Sequence, residues 1–181
     1  MFSKIFPKIH VEGYKFLVIS GIIALVLYSL SDFFGLIGFV LNVWVYYFFR
    51  DPERVIIDDD NYLVSPADGE IIKVEEVDGP KELSLENKRF KKISIFMNIF
   101  DCHVNRTPCS GMIEEILYKP GKFFNASLDK ASEENERNYY KIKDSQNNNI
   151  IVVQIAGLIA RRIVCESNKA QVLKQGDRMG L

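Results

Sequence analysis

Two histidines, His10 and His103, are the first candidates for chemistry in this chain. His103 lies outside the long apolar runs, whereas His10 precedes the first of them and is expected at an interface. Histidine is the side chain whose ordinary pKa lies near neutrality, so His103 is the candidate general acid or base. A structural or surface histidine is the alternative for this position.

Asp68 is the candidate carboxylate partner of a histidine. It lies in the turn Pro66–Gly69, between two predicted strands. A carboxylate that hydrogen-bonds a histidine fixes the orientation and the tautomer of the ring. The alternative is a turn aspartate that bonds its own backbone. Cys102 does not form a nucleophile–base pair with His103, because neighbours on a strand point to opposite faces.

Two adjacent arginines, Arg161 and Arg162, interrupt the apolar stretch Leu158–Cys165, which we predict to be a strand. One of the two would point inward unless the strand bulges, because neighbours face opposite sides. An inward arginine needs an anion, either a protein carboxylate or a ligand phosphate. Lys122, beside a Pro-Gly turn, could add charge to such a site, although a solvated surface lysine is the alternative.

Charge and cysteine content exclude several classes of protein. The 181 residues carry 23 Lys+Arg and 24 Asp+Glu, a net charge of −1, so no nucleic-acid partner is expected. Three cysteines without a C-x-x-C pair, together with two histidines, argue against a structural zinc site, and no metal is predicted.

The elements that must position these residues begin with two apolar runs, Tyr14–Leu30 and Phe33–Phe49, separated by Ser31-Asp32. Each run would be roughly 25 Å long as a helix, at the short edge of what spans a bilayer. Lysines before the first run and arginines after the second predict a hairpin with both ends on the cytoplasmic side. A shallow re-entrant hairpin and a hairpin buried in a soluble core are the alternatives.

The rest of the chain predicts a mostly β fold, a sandwich or flattened barrel, after the N-terminal helical hairpin. Short apolar stretches alternate with turn residues from Tyr62 onward. Predicted strands are 70–77, 93–97, 111–118, 139–143, 150–156 and 158–165, with a loop or short helix over 127–138 and a turn over 175–180. The expected domains are 1–50, a membrane-associated hairpin, and 51–181, a β-rich catalytic domain.

Six segments in order make the chain similar to the phosphatidylserine decarboxylases, in particular to the short bacterial and archaeal branch of these proenzymes. The resemblance spans roughly Gly13 to Leu181. The segments are Tyr47–Arg54, Ser65–Gly69, Ser94–Arg106, Pro120–Ala126, Gln154–Ile163 and Gly176–Gly180.

The resemblance implies a carboxy-lyase of phospholipid biosynthesis that converts phosphatidylserine to phosphatidylethanolamine and CO2. Its cofactor is a pyruvoyl group made from the chain itself. A serine that follows a glycine attacks the preceding carbonyl, and elimination leaves the pyruvoyl at the new N-terminus of a small subunit. The pyruvoyl serves as the electron sink of the decarboxylation, and a proton donor completes it.

The resemblance also assigns roles to residues. Asp68 matches the charge-relay aspartate and His103 the histidine motif. The longer branch has a second histidine where this chain has Arg106, so His103 would serve both steps or share them with another group. The candidates for contact with the lipid phosphate are Arg161, Arg162, Lys122 and Arg106.

A Gly-Ser cleavage pair is expected a few residues beyond Leu181, because none of the serines in this chain follows a glycine. The expectation is therefore a proenzyme shortened before its pyruvoyl-bearing strand and inactive by itself. A large subunit separated from its small partner, or an inactive relative, are the alternatives.

Two other functions stay open at this point. One is a membrane-tethered module that binds anionic lipid without catalysis. The other is a lipoyl-like carrier or phosphotransfer domain with His103 as phosphoacceptor. The expected partners are phosphatidylserine in the inner membrane, the small pyruvoyl-bearing subunit of the same proenzyme and, in a homo-oligomer, further copies of the chain.

Overall fold

The chain forms two compact units in a computed structural model that describes residues 6–57, 59–125 and 131–181. The first unit contains Met1–Arg54 and Asn98–Val104, and the second contains Val55–Met97 and Asn105–Leu181. The short segment that carries His103 thus belongs to the same unit as the N-terminal residues. The division into domains 1–50 and 51–181 stays a prediction.

Two apolar helices form a hairpin in the first unit. Helix α1 spans Gly13–Leu30 and helix α2 spans Asp32–Phe48. Ser31 joins them, and its hydroxyl accepts a hydrogen bond from the backbone N–H of Phe34 (3.3 Å), as a helix-capping serine does. Strands β1 (Lys8–Ile9) and β2 (Arg50–Asp51) flank the hairpin and pair antiparallel. The two helices expected from the apolar runs are confirmed.

The helices meet through small and polar residues and expose apolar side chains elsewhere. A Cβ at Gly38 would lie 2.7 Å from the Cα of Ala24, so the glycine permits a close approach of the two backbones. Asn42 Nδ2 donates to the Leu17 carbonyl (3.0 Å) and to Ser20 Oγ (2.7 Å) across the interface. By length and composition, α1 could cross a membrane, whereas α2 is one residue shorter.

The second unit is built from antiparallel strands. Strands β3 (Glu70–Asp78) and β4 (Arg89–Phe96) form one pair. A sheet with the order β8-β7-β6-β9 contains β6 (Gly111–Lys119), β7 (Arg137–Asp144), β8 (Asn149–Ile155) and β9 (Val172–Leu173). Strand β10 (Arg178–Gly180) pairs with β5 (Asn105–Arg106). The described part of the chain also has a short helix, α3 (Ala131–Glu134). The expected fold class, a helical hairpin followed by mostly β structure, is confirmed.

A core forms on one face of the four-stranded sheet. Ile113 on β6 and both Tyr140 and Ile142 on β7 are fully buried, and Met179 of β10 packs with them. Alternation along β6 and β7 explains this arrangement, because residues two positions apart share a face. The core therefore holds the C-terminal strand against the sheet.

The predicted strand over Leu158–Cys165 is wrong. Residues 158–164 have no strand structure, and the backbone N–H of Gly157 donates to the Ala160 carbonyl (2.9 Å), which closes a loop. Arg161 and Arg162 are both exposed, so the expected inward arginine is also wrong. The apolar side chains in this stretch have the pattern that is typical of a strand, although the backbone turns at Gly157.

Part of the predicted turn over 175–180 is a strand. Arg178–Gly180 pairs with Asn105–Arg106, a partner about 70 positions away along the chain that a local pattern does not reveal. The predicted loop or short helix over 127–138 contains α3, while residues 126–130 lie outside the described residues. Lys4, one of the predicted basic flanks of the hairpin, also lies outside them.

Candidate functional site

His103 lies at the end of a short loop that is folded by its own hydrogen bonds. The backbone N–H of Asn98 donates to Asp101 Oδ2 (2.8 Å), and the backbone N–H of Phe100 donates to Asn98 Oδ1 (2.8 Å). Asp101 N–H also donates to the Asn98 carbonyl (3.0 Å). The histidine at the end of this loop is 7% exposed. The sequence motif therefore produces a buried imidazole rather than a surface one.

The surroundings of His103 define its tautomer and its charge. Nδ1 lies 3.1 Å from the Asp101 carbonyl, which can only accept, so Nδ1 carries the hydrogen and Nε2 keeps a lone pair. Burial lowers the pKa of His103, although the hydrogen bond to Asp101 and the charge of its carboxylate oppose this shift. The ring is therefore neutral at pH 7 and able to accept a proton through Nε2.

Three contacts join the His103 loop to the end of the hairpin. The ring of Phe48 stacks on the imidazole, with centroids 4.1 Å apart and planes 28° apart. Arg50 Nη2 donates to the Phe100 carbonyl (2.8 Å), and Cys102 Sγ donates to the Arg50 carbonyl (3.2 Å). Sequence reasoning missed Phe48 and Arg50 as neighbours of the histidine. Their place in a motif of the resemblance was the available signal.

Asp68 lies in the second unit, in the turn that precedes β3. Ser65 Oγ donates to the Ala67 carbonyl within this turn (2.7 Å), and the Pro66 carbonyl accepts from the backbone N–H of Arg106 (2.9 Å). Gly69 has a φ of +148°, a conformation that glycine adopts readily. The turn is thus fastened to β5, while the pairing of Asp68 with His103 stays a prediction.

The four predicted phosphate-binding cations lie at different places in the second unit. Arg106 Nη1 donates to the Gly176 carbonyl (2.9 Å). Lys122 pairs with Glu134 (2.7 Å), and the Arg161 guanidinium lies 5.9 Å from the ring centroid of Phe123. Lys122 and Arg161 are therefore on neighbouring loops. Arg162, next in the chain, is exposed.

A buried polar network fixes the strand pair β5–β10. Gln154 Nε2 donates to Asn105 Oδ1 (2.8 Å), and the Tyr140 hydroxyl donates to Gln154 Oε1 (2.9 Å). The same hydroxyl lies 3.3 Å from the Met179 carbonyl. Burial raises the pKa of Tyr140, so it stays a neutral donor at physiological pH. The network joins β5, β7, β8 and β10.

The buried thiol of Cys109 is unsuited to nucleophilic chemistry. Burial raises its pKa to about 11, and the charges of Asp144 and Asp60 add to the effect. The reactive form of a cysteine is the thiolate, so this side chain is inert near pH 7. The geometry leaves His103 as the better candidate for proton transfer.

Known proteins with related sequences place the chain among enzymes that are made as proenzymes. The phosphatidylserine decarboxylase proenzyme of Pelagibacter ubique is 72% identical over 181 residues, which are 100% of this chain and 84% of that protein. The proenzyme of Ruegeria pomeroyi is 51% identical over 172 residues (95% and 78%), and that of Rickettsia typhi 45% over 180 residues (99% and 78%). A family model described as phosphatidylserine decarboxylase matches residues 41–181. The chain belongs to the phosphatidylserine decarboxylase family.

Proposed function

We propose that this protein decarboxylates the serine head group of phosphatidylserine and so produces phosphatidylethanolamine and CO2 in phospholipid biosynthesis. The observation that carries the proposal is the 72% identity to a phosphatidylserine decarboxylase proenzyme over the whole chain. The buried, neutral His103 supports it, because self-cleavage needs a group that accepts a proton near pH 7. Burial under Phe48 makes the same ring less accessible to a phosphotransfer partner.

The residues present fit a cofactor that arises at the C-terminal end of this strand arrangement. Strand β10 ends at Gly180 and pairs with β5, which begins two residues after His103. A Cβ at Gly180 would lie 1.9 Å from the Val164 carbonyl oxygen, so the strand fits there only with glycine. The Gly-Ser pair is expected a few residues beyond the end of this strand. When formed, a pyruvoyl group supplies the carbonyl that takes up the electron pair left by the departing CO2.

His103 is the proposed proton carrier of both stages. Its Nε2 accepts the serine hydroxyl proton during self-cleavage, since the Asp101 carbonyl occupies the Nδ1 hydrogen. In turnover, the bond from the substrate Cα to its carboxyl carbon breaks, and a proton carried by His103 replaces the lost CO2 at Cα. Asp68 is the proposed orienting carboxylate, and this role requires it to replace the Asp101 carbonyl as the partner of Nδ1. Arg106 cannot share the proton transfer, because its guanidinium stays protonated.

The proposed phosphate contacts are the exposed cations on neighbouring loops. Arg161 and Lys122 lie on these loops, and Arg162 follows directly. A lipid phosphate accepts charge-assisted hydrogen bonds from such groups. Arg106 is a weaker candidate, since its Nη1 already donates to the Gly176 carbonyl.

The proposed location is the inner membrane, with the second unit on the cytoplasmic side. Helix α1 has the length and composition of a membrane-spanning helix. Side chains on its surface are exposed and apolar, among them Leu25 (71%) and Leu30 (68%). Arg50 and Arg54 follow the second helix, as expected for an end that stays in the cytoplasm.

The test uses the complete gene product, purified in detergent with its natural C-terminus. We expect two chains by mass spectrometry, a small chain with a blocked N-terminus that borohydride reduces, and CO2 release from carboxyl-labelled phosphatidylserine. His103→Ala should leave one uncleaved chain, whereas His10→Ala should cleave normally. Two cleaved chains that bind anionic vesicles without releasing CO2 would contradict the proposed activity and favour a lipid-binding module.

A further inference from the structure

We infer that Phe48 and Arg50, at the end of the helical hairpin, are positioning residues for His103. The inference rests on the proposed role of His103 and extends it to the N-terminal segment. The hairpin then has a second task besides membrane attachment, since its last turn and the residues after it complete the environment of the proton-carrying side chain.

The ring of Phe48 covers one face of the imidazole. A centroid distance of 4.1 Å and an interplanar angle of 28° describe a stacked pair, closer than the usual aromatic contacts of ~4.5–7 Å. The loop's own hydrogen bonds fix its backbone and the Nδ1 side of the ring, but they place nothing over the ring face. Phe48 therefore supplies the contact that excludes water from this face.

Arg50 forms hydrogen bonds with two residues of the His103 loop, Phe100 and Cys102. Its guanidinium donates through Nη2 to the Phe100 carbonyl (2.8 Å) and through Nη1 to the Tyr47 carbonyl at the end of α2 (2.6 Å). Its own carbonyl accepts from Cys102, the residue before His103. One residue thus bridges the helix end and the loop in two directions. A lysine has the same charge but no planar fork with which to reach both carbonyls.

The contacts with neighbouring rings do not account for the geometry at His103. Phe48 also contacts Trp44 (centroids 5.6 Å apart) and Phe49 (5.0 Å), so it contributes to the packing of the helix end. Both of these contacts are longer and more steeply tilted than the stack on His103. A role in packing alone predicts a loss of stability without a specific change at the imidazole.

The groups around His103 determine how its pKa and its tautomer should change in the variants. Asp101 raises the pKa of the ring and Arg50 lowers it, while burial lowers it most. Replacement of Phe48 by leucine admits water to the ring face, so the pKa should rise toward the ordinary value of about 6.5. Replacement of Arg50 by lysine keeps the charge but loosens the loop, so the Nδ1–H tautomer should become less dominant.

The test is a pH titration by NMR, in detergent micelles and with ¹⁵N-labelled histidine, of a proenzyme whose expected cleavage-site serine is replaced by alanine so that it stays in one chain. Self-cleavage is measured separately in the same variants with that serine present. The chain has two histidines, and a His10→Gln variant assigns their signals. We expect Phe48→Leu to raise the His103 titration midpoint and to slow self-cleavage at least tenfold. Phe48→Tyr keeps an aromatic ring at this position and should leave both values as in the parent. Arg50→Lys should mix the two tautomers of His103 and slow self-cleavage as well.

Phe16→Leu is the matched control, because Phe16 stacks on Phe49 (centroids 5.1 Å apart) in the same unit. It should leave the titration of His103 unchanged. A Phe48→Leu protein with His10 signals like the parent and an unchanged His103 midpoint and tautomer overturns the inference. If Phe48→Leu fails to fold, an unchanged His103 tautomer and an unchanged rate of self-cleavage in Arg50→Lys overturn the inference instead. Altered signals combined with normal cleavage by His103→Ala would contradict only the proposed function.

Discussion

At the scale of single residues, the buried imidazole of His103 makes stability depend on pH. Its pKa is lowered in the folded protein, so near pH 6 the unfolded chain binds a proton more readily than the folded chain does. The stabilising contribution is complete above the ordinary histidine value of about 6.5 and decreases as the pH falls through that value toward the lower folded pKa. Acidification therefore disfavours the folded His103 loop.

The corresponding prediction concerns the unfolding temperature, in detergent, of the proenzyme with alanine in place of the expected cleavage-site serine, so that the parent and the variant are both uncleaved. The parent should unfold at a lower temperature at pH 5 than at pH 7, and His103→Gln should reduce this difference because glutamine does not titrate. Circular dichroism at both pH values measures the effect. The carboxylates titrate in both proteins, so the difference between them isolates His103. An equal pH dependence in the two would contradict the assigned burial effect.

At the scale of elements, local patterns predicted structure wherever a partner strand or helix lay close in sequence. The two apolar runs became α1 and α2, and alternating residues became β4, β6, β7 and β8. The strand predicted over Leu158–Cys165 is wrong, because the apolar side chains of this stretch do not indicate the loop that begins at Gly157. The alternation rule gives the face of a residue but not the partner of its strand, which is why β10 was not found.

The sequence predicted which residues belong to the candidate site, but not the contacts that surround them. The motifs of the sequence identified His103 and Asp68 as candidate site residues. His103 and Phe48 are in contact although they lie 55 positions apart, and Arg50 and Phe100 are 50 positions apart. No sequence pattern between them indicates either contact. Such contacts depend on how the loop packs, which local propensities do not encode.

The interface between α1 and α2 gives a second prediction. Asn42 donates to Leu17 and Ser20 on the opposite helix, and such bonds contribute about 0.6 kcal/mol on average in membrane proteins. Asn42→Leu should therefore lower the free energy of unfolding in micelles by roughly this amount, up to ~1.7 kcal/mol. Circular dichroism of denaturant-induced helix loss measures it.

Two serine variants form the control for this interface. Ser20 Oγ accepts from Asn42, whereas Ser29 Oγ donates to Val26 within its own helix (2.7 Å). Ser20 Oγ also donates to the Leu17 carbonyl in its own helix (3.1 Å), as Ser29 does to Val26. In the Asn42→Leu background, Ser20→Ala should therefore lose no more stability than Ser29→Ala does. Ser29→Ala should have the same effect in either background. Additive losses for Ser20→Ala and Asn42→Leu would mean that the hydrogen bond between the helices contributes nothing.

At the scale of the whole molecule, the charge balance favours different parts of the chain for the proposed membrane attachment and the proposed head-group recognition. With a net charge of −1, these 181 residues have no general electrostatic attraction to an anionic bilayer, so the proposed attachment would come from the apolar hairpin. Binding to vesicles should then be nearly insensitive to salt and to the fraction of anionic lipid. The proposed recognition of phosphatidylserine would then depend on individual cations, and a change in turnover kinetics can detect their contribution.

The double variant Arg161→Gln/Arg162→Gln separates these two functions in the complete proenzyme. Exposed ion pairs contribute ~0.2–1 kcal/mol each, so loss of both arginines should raise KM for phosphatidylserine about twofold to thirtyfold. The value of kcat should stay within experimental error, because a contact made equally to substrate and transition state affects binding alone.

Lys91→Gln/Lys174→Gln removes the same charge from exposed positions elsewhere and should leave KM unchanged. Both variants should float with neutral vesicles like the parent. Loss of flotation in the arginine variant, or an equal rise of KM in the lysine variant, would show that the loop cations act through general charge rather than through the substrate phosphate.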